Sequence, residues 1–117
     1  MRKKETAINS IIGEDTLISG NIKLDGNLLI YGKVEGNIET GGLIRIASGA
    51  EIQGNLIGKE LQIGGNIVGD VVASGKVTLG DQSDLKGDIR ASQIVIEDGA
   101  RFEGKCDMIS SIDKEIS

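Results

Sequence analysis

The chain has no histidine, no proline and no tryptophan, and its 117 residues include a single cysteine, a single phenylalanine and a single tyrosine. Without histidine, the His-dependent catalytic triads, His-ligated zinc sites and the imidazole general bases typical of β-helical acyltransferases are excluded. One thiol, Cys106, cannot close an internal disulfide, which fits a reducing compartment. An aromatic content of 2% rules out a core anchored on large rings and leaves nothing for nucleobases to stack on. The net charge of -5 also opposes a nucleic-acid ligand, because such binding depends on Lys and Arg neutralising phosphates. No apolar run approaches the roughly 20 residues that cross a bilayer, and none follows the basic N-terminus as a secretory signal requires. The expectation is a cytoplasmic protein.

What the chain does have is 18 glycines, spread between β-branched residues, a pattern of many short strands joined by tight turns. A motif of Gly, then Asn or Asp, then an aliphatic recurs at Gly20-Asn21-Ile22, Gly36-Asn37-Ile38, Gly54-Asn55-Leu56, Gly69-Asp70-Val71 and Gly87-Asp88-Ile89, and a degenerate copy closes the series at Gly104-Lys105-Cys106. The intervals of 16, 18, 15, 18 and 17 residues are too short for helical repeats and match one turn of a β-solenoid. Between these motifs lies an apolar-x-apolar triplet at Leu28/Ile30, Ile44/Ile46, Leu61/Ile63, Val77/Leu79 and Ile94/Ile96. Period-2 alternation puts both members of each triplet on one face and Leu29, Arg45, Gln62, Thr78 and Val95 on the other, as strands covered on one side require. The reading is an all-β chain, a parallel β-helix of about six rungs of 15–18 residues. The usual crossover rule makes it right-handed, although left-handed β-helices exist.

Connections from triplet to Gly motif have two lengths. Short bends join Ile30 to Val34 and Ile63 to Ile67, and long ones join Ile12 to Ile18, Ile46 to Ile52, Leu79 to Leu85 and Ile96 to Phe102. The length changes fall inside the bends, so strand register is preserved. Each motif glycine supplies a positive φ at a corner, where the Asn and Asp side chains stack from rung to rung. A turn role fits them better than a ligand-binding ladder.

Sites of chemistry are scarce. Gly99 to Cys106 approaches a phosphate-binding loop, but a thiol stands where the Mg²⁺-ligating hydroxyl belongs and no helix follows. No nucleotide, metal or other cofactor is expected. Glu14/Asp15 and Glu97/Asp98 occupy equivalent bends of the first and last rungs, roughly 24 Å apart at about 4.8 Å per rung, too far for paired acid-base work. Cys106 falls at an inward position and reads as a small core residue rather than a nucleophile. A His-independent enzyme is therefore the weakest reading. The two others are a structural polymer and a non-polymerising binding module that uses a side face. Outward Ile57, Val68 and Val72 fall in neighbouring rungs and offer a place for lateral contact.

A solenoid leaves unpaired backbone and apolar side chains at its two ends. Those side chains are Ile12 and Ile18 at one end and Ile94, Ile96, Phe102 and Cys106 at the other. The reading divides the chain into an N-terminal tail over 1–9, a β-helix over 10–107 and a C-terminal tail over 108–117, neither tail apolar enough to plug an end.

From about Ile12 to Cys106 the chain resembles the bactofilin domain. The resemblance lies in the rung pattern of Leu28 to Ile38 and in the closing Glu97-Asp98-Gly99-Ala100-Arg101-Phe102-Glu103-Gly104-Lys105-Cys106. It implies a right-handed β-helix that assembles without nucleotide into non-polar bacterial filaments, like end meeting like end, and scaffolds cell-shape or wall-associated proteins. It also implies that Phe102 is the final-rung aromatic of the C-terminal contact. Less specifically, Met1-Arg2-Lys3-Lys4 resembles the family's short membrane-targeting N-termini, with the inner membrane face as partner.

Overall fold

The computed structural model describes residues 9–108. Three short strands make each turn of the chain, and six turns follow one another. The first rung is β1 (Asn9–Ile12), β2 (Leu17–Ser19) and β3 (Ile22–Leu24), and the second is β4 (Asn27–Ile30), β5 (Lys33–Glu35) and β6 (Ile38–Thr40). Next come β7 (Leu43–Ile46), β8 (Glu51–Gln53) and β9 (Leu56–Gly58), then β10 (Glu60–Ile63), β11 (Asn66–Val68) and β12 (Val71–Ala73). The fifth rung is β13 (Lys76–Leu79), β14 (Asp84–Lys86) and β15 (Ile89–Ala91), and the sixth is β16 (Gln93–Ile96), β17 (Arg101–Glu103) and β18 (Cys106–Met108). Corresponding strands pair in parallel into three 6-stranded sheets. The all-β solenoid expected from the repeat is the fold.

Register lines the aliphatics up in columns. Leu28, Ile44, Leu61, Val77 and Ile94 stack in the first sheet, beside the column of Ile12, Ile30, Ile46, Ile63, Leu79 and Ile96. In the second sheet Ile18, Val34, Ile52, Ile67, Leu85 and Phe102 stack, and in the third Ile22, Ile38, Leu56, Val71, Ile89 and Cys106 do. Between the ends these columns are buried throughout, so a core without large rings is filled by short, stiff side chains repeated at the strand spacing. A further inward position, at the end of the third-sheet strand, takes small residues in the four inner rungs. Thr40, Ala73 and Ala91 are buried there, and the Thr40 hydroxyl donates to the Gly26 carbonyl.

Both bend lengths behave as the spacing requires. Each long bend closes with its own turn hydrogen bond: Thr16 N to Gly13 O at 3.0 Å, Ala50 N to Ala47 O at 3.1 Å, Ser83 N to Gly80 O at 3.0 Å and Ala100 N to Glu97 O at 3.1 Å. The two extra residues project outward while the flanking strands stay paired. Short bends nest against the long bend beneath, and a Cβ on Gly32 would lie 2.4 Å from the carbonyl oxygens of both Gly13 and Thr16.

The Gly-Asn/Asp corner is held by side chains. Asn37 N donates to Asn21 Oδ1 at 3.0 Å, Asn55 N to Asn37 Oδ1 at 3.0 Å, Asp70 N to Asn55 Oδ1 at 3.0 Å, Asp88 N to Asp70 Oδ1 at 3.0 Å, and Lys105 N to Asp88 Oδ1 at 3.1 Å. A backbone N–H turned out of the sheet ladder at the kink would otherwise lack a protein partner. The side-chain oxygen one rung below supplies it, so Asn and Asp serve equally and the last copy can be Lys105, which has no described rung above it.

Candidate functional site: the two terminal rungs

The same inward columns that are sealed in the middle of the rod open at its ends. At the C-terminal end Ile96 is 48% exposed although it aligns with fully buried Leu79. Ile94 and Phe102 are half-buried above Val77 and Leu85, which are fully buried. At the N-terminal end Ile12 is nearly covered, whereas Ile18, Ile22 and Leu24 are half-buried against the core. Period 2 gives each of these side chains its direction, and among the described residues no further rung lies beyond them to cover the ones that are exposed or half-buried.

Cys106 corrects one expectation. It aligns with Ile89 and so sits in the inward column, but it is exposed rather than a core residue because no strand of the described chain lies beyond β18. Partial desolvation at this edge raises its thiol pKa above the ordinary value, so the thiol form is favoured at neutral pH.

Backbone chemistry marks the same places. β1, β2 and β3 form one edge of the three sheets and β16, β17 and β18 the other. Among the described residues each edge strand is paired on one side only, leaving alternate N–H and C=O groups directed along the rod axis. Around the N-terminal rim Ile11 is 64% and Leu17 58% exposed, two outward aliphatics that the reading of inward positions passed over. Their signal was present in the sequence, since Ile11-Ile12 and Leu17-Ile18 put aliphatics at consecutive positions where alternation calls for one.

Other candidates stay apart. Glu14 and Asp15 lie exposed in the first long bend, and Glu97 and Asp98 in the last. The segment resembling a phosphate loop is the bend, β17, the corner and β18. Among the described residues no three His, Cys, Asp or Glu side chains gather to hold a metal. A surface groove of about 720 Å³ runs over the outer face of the first sheet past Leu29, Arg45, Gln62 and Thr78. It is the trough between projecting bends, bridged where Ser48 Oγ donates to Gln82 Oε1 at 3.1 Å above the short bend of the fourth rung. The basic group Met1, Arg2, Lys3 and Lys4 lies outside the described residues. Ile57 is 45% and Val68 54% exposed; Val72 is half-buried and adjoins Ile57 on the outer face of the third sheet.

No solved structure gives a significant match to the chain. It is 34% identical over 107 residues to bactofilin BacO of Myxococcus xanthus (strain DK1622), covering 92% of this chain and 85% of the relative. To bactofilin BacP of the same organism it is 33% identical over 100 residues, 86% of this chain but 42% of that longer protein. The sequence pattern of the bactofilins, described as polymer-forming cytoskeletal, matches residues 10–107. That span takes in all but the first residue of the first rung and the last of the sixth, and with two relatives alike over most of the chain it establishes that the protein belongs to the bactofilin family.

Proposed function

We propose that this bactofilin is a structural protein, not an enzyme, and that it polymerises through its two terminal rungs. Ile12 and Ile18 serve at one end, and Ile94, Ile96, Phe102 and Cys106 at the other. The observation that carries the reading is the opening of otherwise sealed apolar columns at those ends, where Ile96 stands 48% exposed above fully buried Leu79. Docking another rung covers the apolar side chains and pairs the open edge strands in one step. Neither event uses a nucleotide, so assembly proceeds without one.

In this reading like ends meet. A two-fold contact at each end is isologous, and alternating two such contacts along a fibre gives a filament without polarity. The filament then serves as a platform for cell-shape or wall-associated proteins at the inner membrane surface. Contact with that membrane runs through Met1, Arg2, Lys3 and Lys4: each basic residue near an anionic leaflet contributes about 1 kcal/mol, and a filament repeats the group in every subunit.

Negative-stain electron microscopy of the full chain and of Phe102→Arg, in physiological salt without nucleotide, tests the proposal. Filaments are expected for the parent, and for the variant folded subunits no larger than pairs joined at their N-terminal ends, by circular dichroism and light scattering, because a guanidinium would be desolvated at the C-terminal contact. A parent that remains monomeric at all concentrations, or a variant that polymerises as the parent does, defeats it.

A further inference from the structure

Each third-sheet strand directs one side chain outward, and register sets these side chains in a single row: Lys23, Glu39, Ile57, Val72, Arg90 and Asp107. In order along the rod the row reads positive, negative, apolar, apolar, positive, negative. Turning the row end for end about a two-fold axis parallel to the strands, midway between Ile57 and Val72, brings each member opposite its complement. Lys23 faces Asp107 of a second copy, Glu39 faces Arg90, and Ile57 faces Val72. The flanking Asn/Asp ladder obeys the same operation, with Asn55 opposite Asp70 and Asn37 opposite Asp88. Placing two copies side by side in the same direction instead sets every charge of the row against its own kind, Lys23 on Lys23 and Arg90 on Arg90.

From this we infer that the outer face of the third sheet is a lateral interface for a second copy of this chain running antiparallel. Ile57, 45% exposed, and half-buried Val72 form its apolar centre, Val68 at 54% exposure extends that centre around the adjoining corner, and the charged pairs fix direction and register. Within one chain Arg90 Nε already lies 3.6 Å from Asp107 Oδ2, with both side chains more than half exposed. The antiparallel partner adds Lys23 and Glu39 to that pair and makes a four-charge cluster of alternating sign at each end of the face.

The face is one residue wide, about 29 Å along six rungs of about 4.8 Å, below the area of a tight dimer, so isolated subunits pair through it only at high concentration. Its strength therefore rests on the filament proposed above, which repeats it along a rod. Lateral pairing is accordingly expected to loosen as salt rises, because the charges sit in solvent.

Charge exchange tests the face. Arg90→Glu puts a carboxylate opposite Glu39 of the partner, and the double variant Glu39→Arg, Arg90→Glu restores both pairs with signs reversed. Negative-stain images are expected to show paired filaments for the parent and the double variant and single filaments for Arg90→Glu, with unchanged circular dichroism throughout. Parent filaments that lie singly, pairs that survive Arg90→Glu, or a double variant that fails to pair would each overturn the interface while leaving end-to-end assembly standing. A parent that forms no filament at all defeats the end-to-end proposal separately. The face is then read by sedimentation equilibrium at high concentration, where a dimer lost in Arg90→Glu and regained in the double variant upholds it and monomers throughout overturn it.

Discussion

Alanine at Gly54 is expected to destabilise the fold far more than alanine at Gly20, although both glycines stand at the same corner and both have a positive φ, +149° and +122°. At Gly20 a Cβ meets nothing within 4 Å, so the penalty is the backbone conformation alone, about 1–3 kcal/mol. At Gly54 the same atom would stand 2.0 Å from the Gly36 carbonyl oxygen, whereas ordinary contact begins at 3.4 Å. Relief requires the second and third rungs to separate locally by more than an ångström. That stretches Gly36 N to Gln53 O and Ile38 N to Asn55 O, both 2.9 Å, and Asn55 N to Asn37 Oδ1, 3.0 Å. Three hydrogen bonds at about 0.5–1.5 kcal/mol each add roughly 1.5–4.5 kcal/mol to the backbone term. Urea unfolding followed by far-UV circular dichroism measures both variants, in a Phe102→Arg background diluted until light scattering shows single subunits, so that association stays out of the equilibrium. Equal losses at the two sites would refute the reasoning, since they would mean that the inter-rung approach at Gly54 carries no energy beyond its φ.

Burial separates two leucines in the same way. Leu61, fully buried, should lose about 2–5 kcal/mol on truncation to alanine. Leu17, 58% exposed on the N-terminal rim, should stay within about 0.5 kcal/mol in the same urea experiment. Cys106 provides a pH test: its raised thiol pKa means the folded chain holds the proton more tightly than the unfolded one. Whatever stability this confers is present below the unfolded thiol's pKa and is lost as pH rises through the folded value. Iodoacetamide should accordingly alkylate folded subunits more slowly than urea-unfolded chain near the ordinary thiol pKa, the two rates converging at higher pH, as mass spectrometry can follow; equal rates throughout would contradict the desolvated edge.

Much of this architecture is legible in the sequence because a solenoid converts one-dimensional spacing directly into three-dimensional stacking. Triplets such as Leu61/Ile63 give strand direction, the glycine corners give the turns, and the two bend lengths fall where the spacing puts them. What spacing does not reveal is how many neighbours a rung has. Leu79 and Ile96 have equivalent patterns, yet one is sealed and the other half open, and Cys106 is inward by register but exposed in fact. The charge row of the third sheet was hidden for a different reason. Its members lie 15–18 residues apart and become a sequence of their own only when read across the rungs.

The long bends have a use beyond connecting strands. Because the bend at Gly80–Ser83 is closed by its own hydrogen bond, while Gly80 N and Asp84 N remain bonded to Ile63 O and Gly65 O of the rung below, the exposed pair Asp81-Gln82 stands outside the sheet ladders and meets another rung through the Ser48 hydroxyl on Gln82 Oε1. An epitope or fluorescent label spliced between these two residues would ride on the solenoid without entering its stacking, and in a polymer it would decorate the surface at regular intervals, turning the molecule into a ruled scaffold for display.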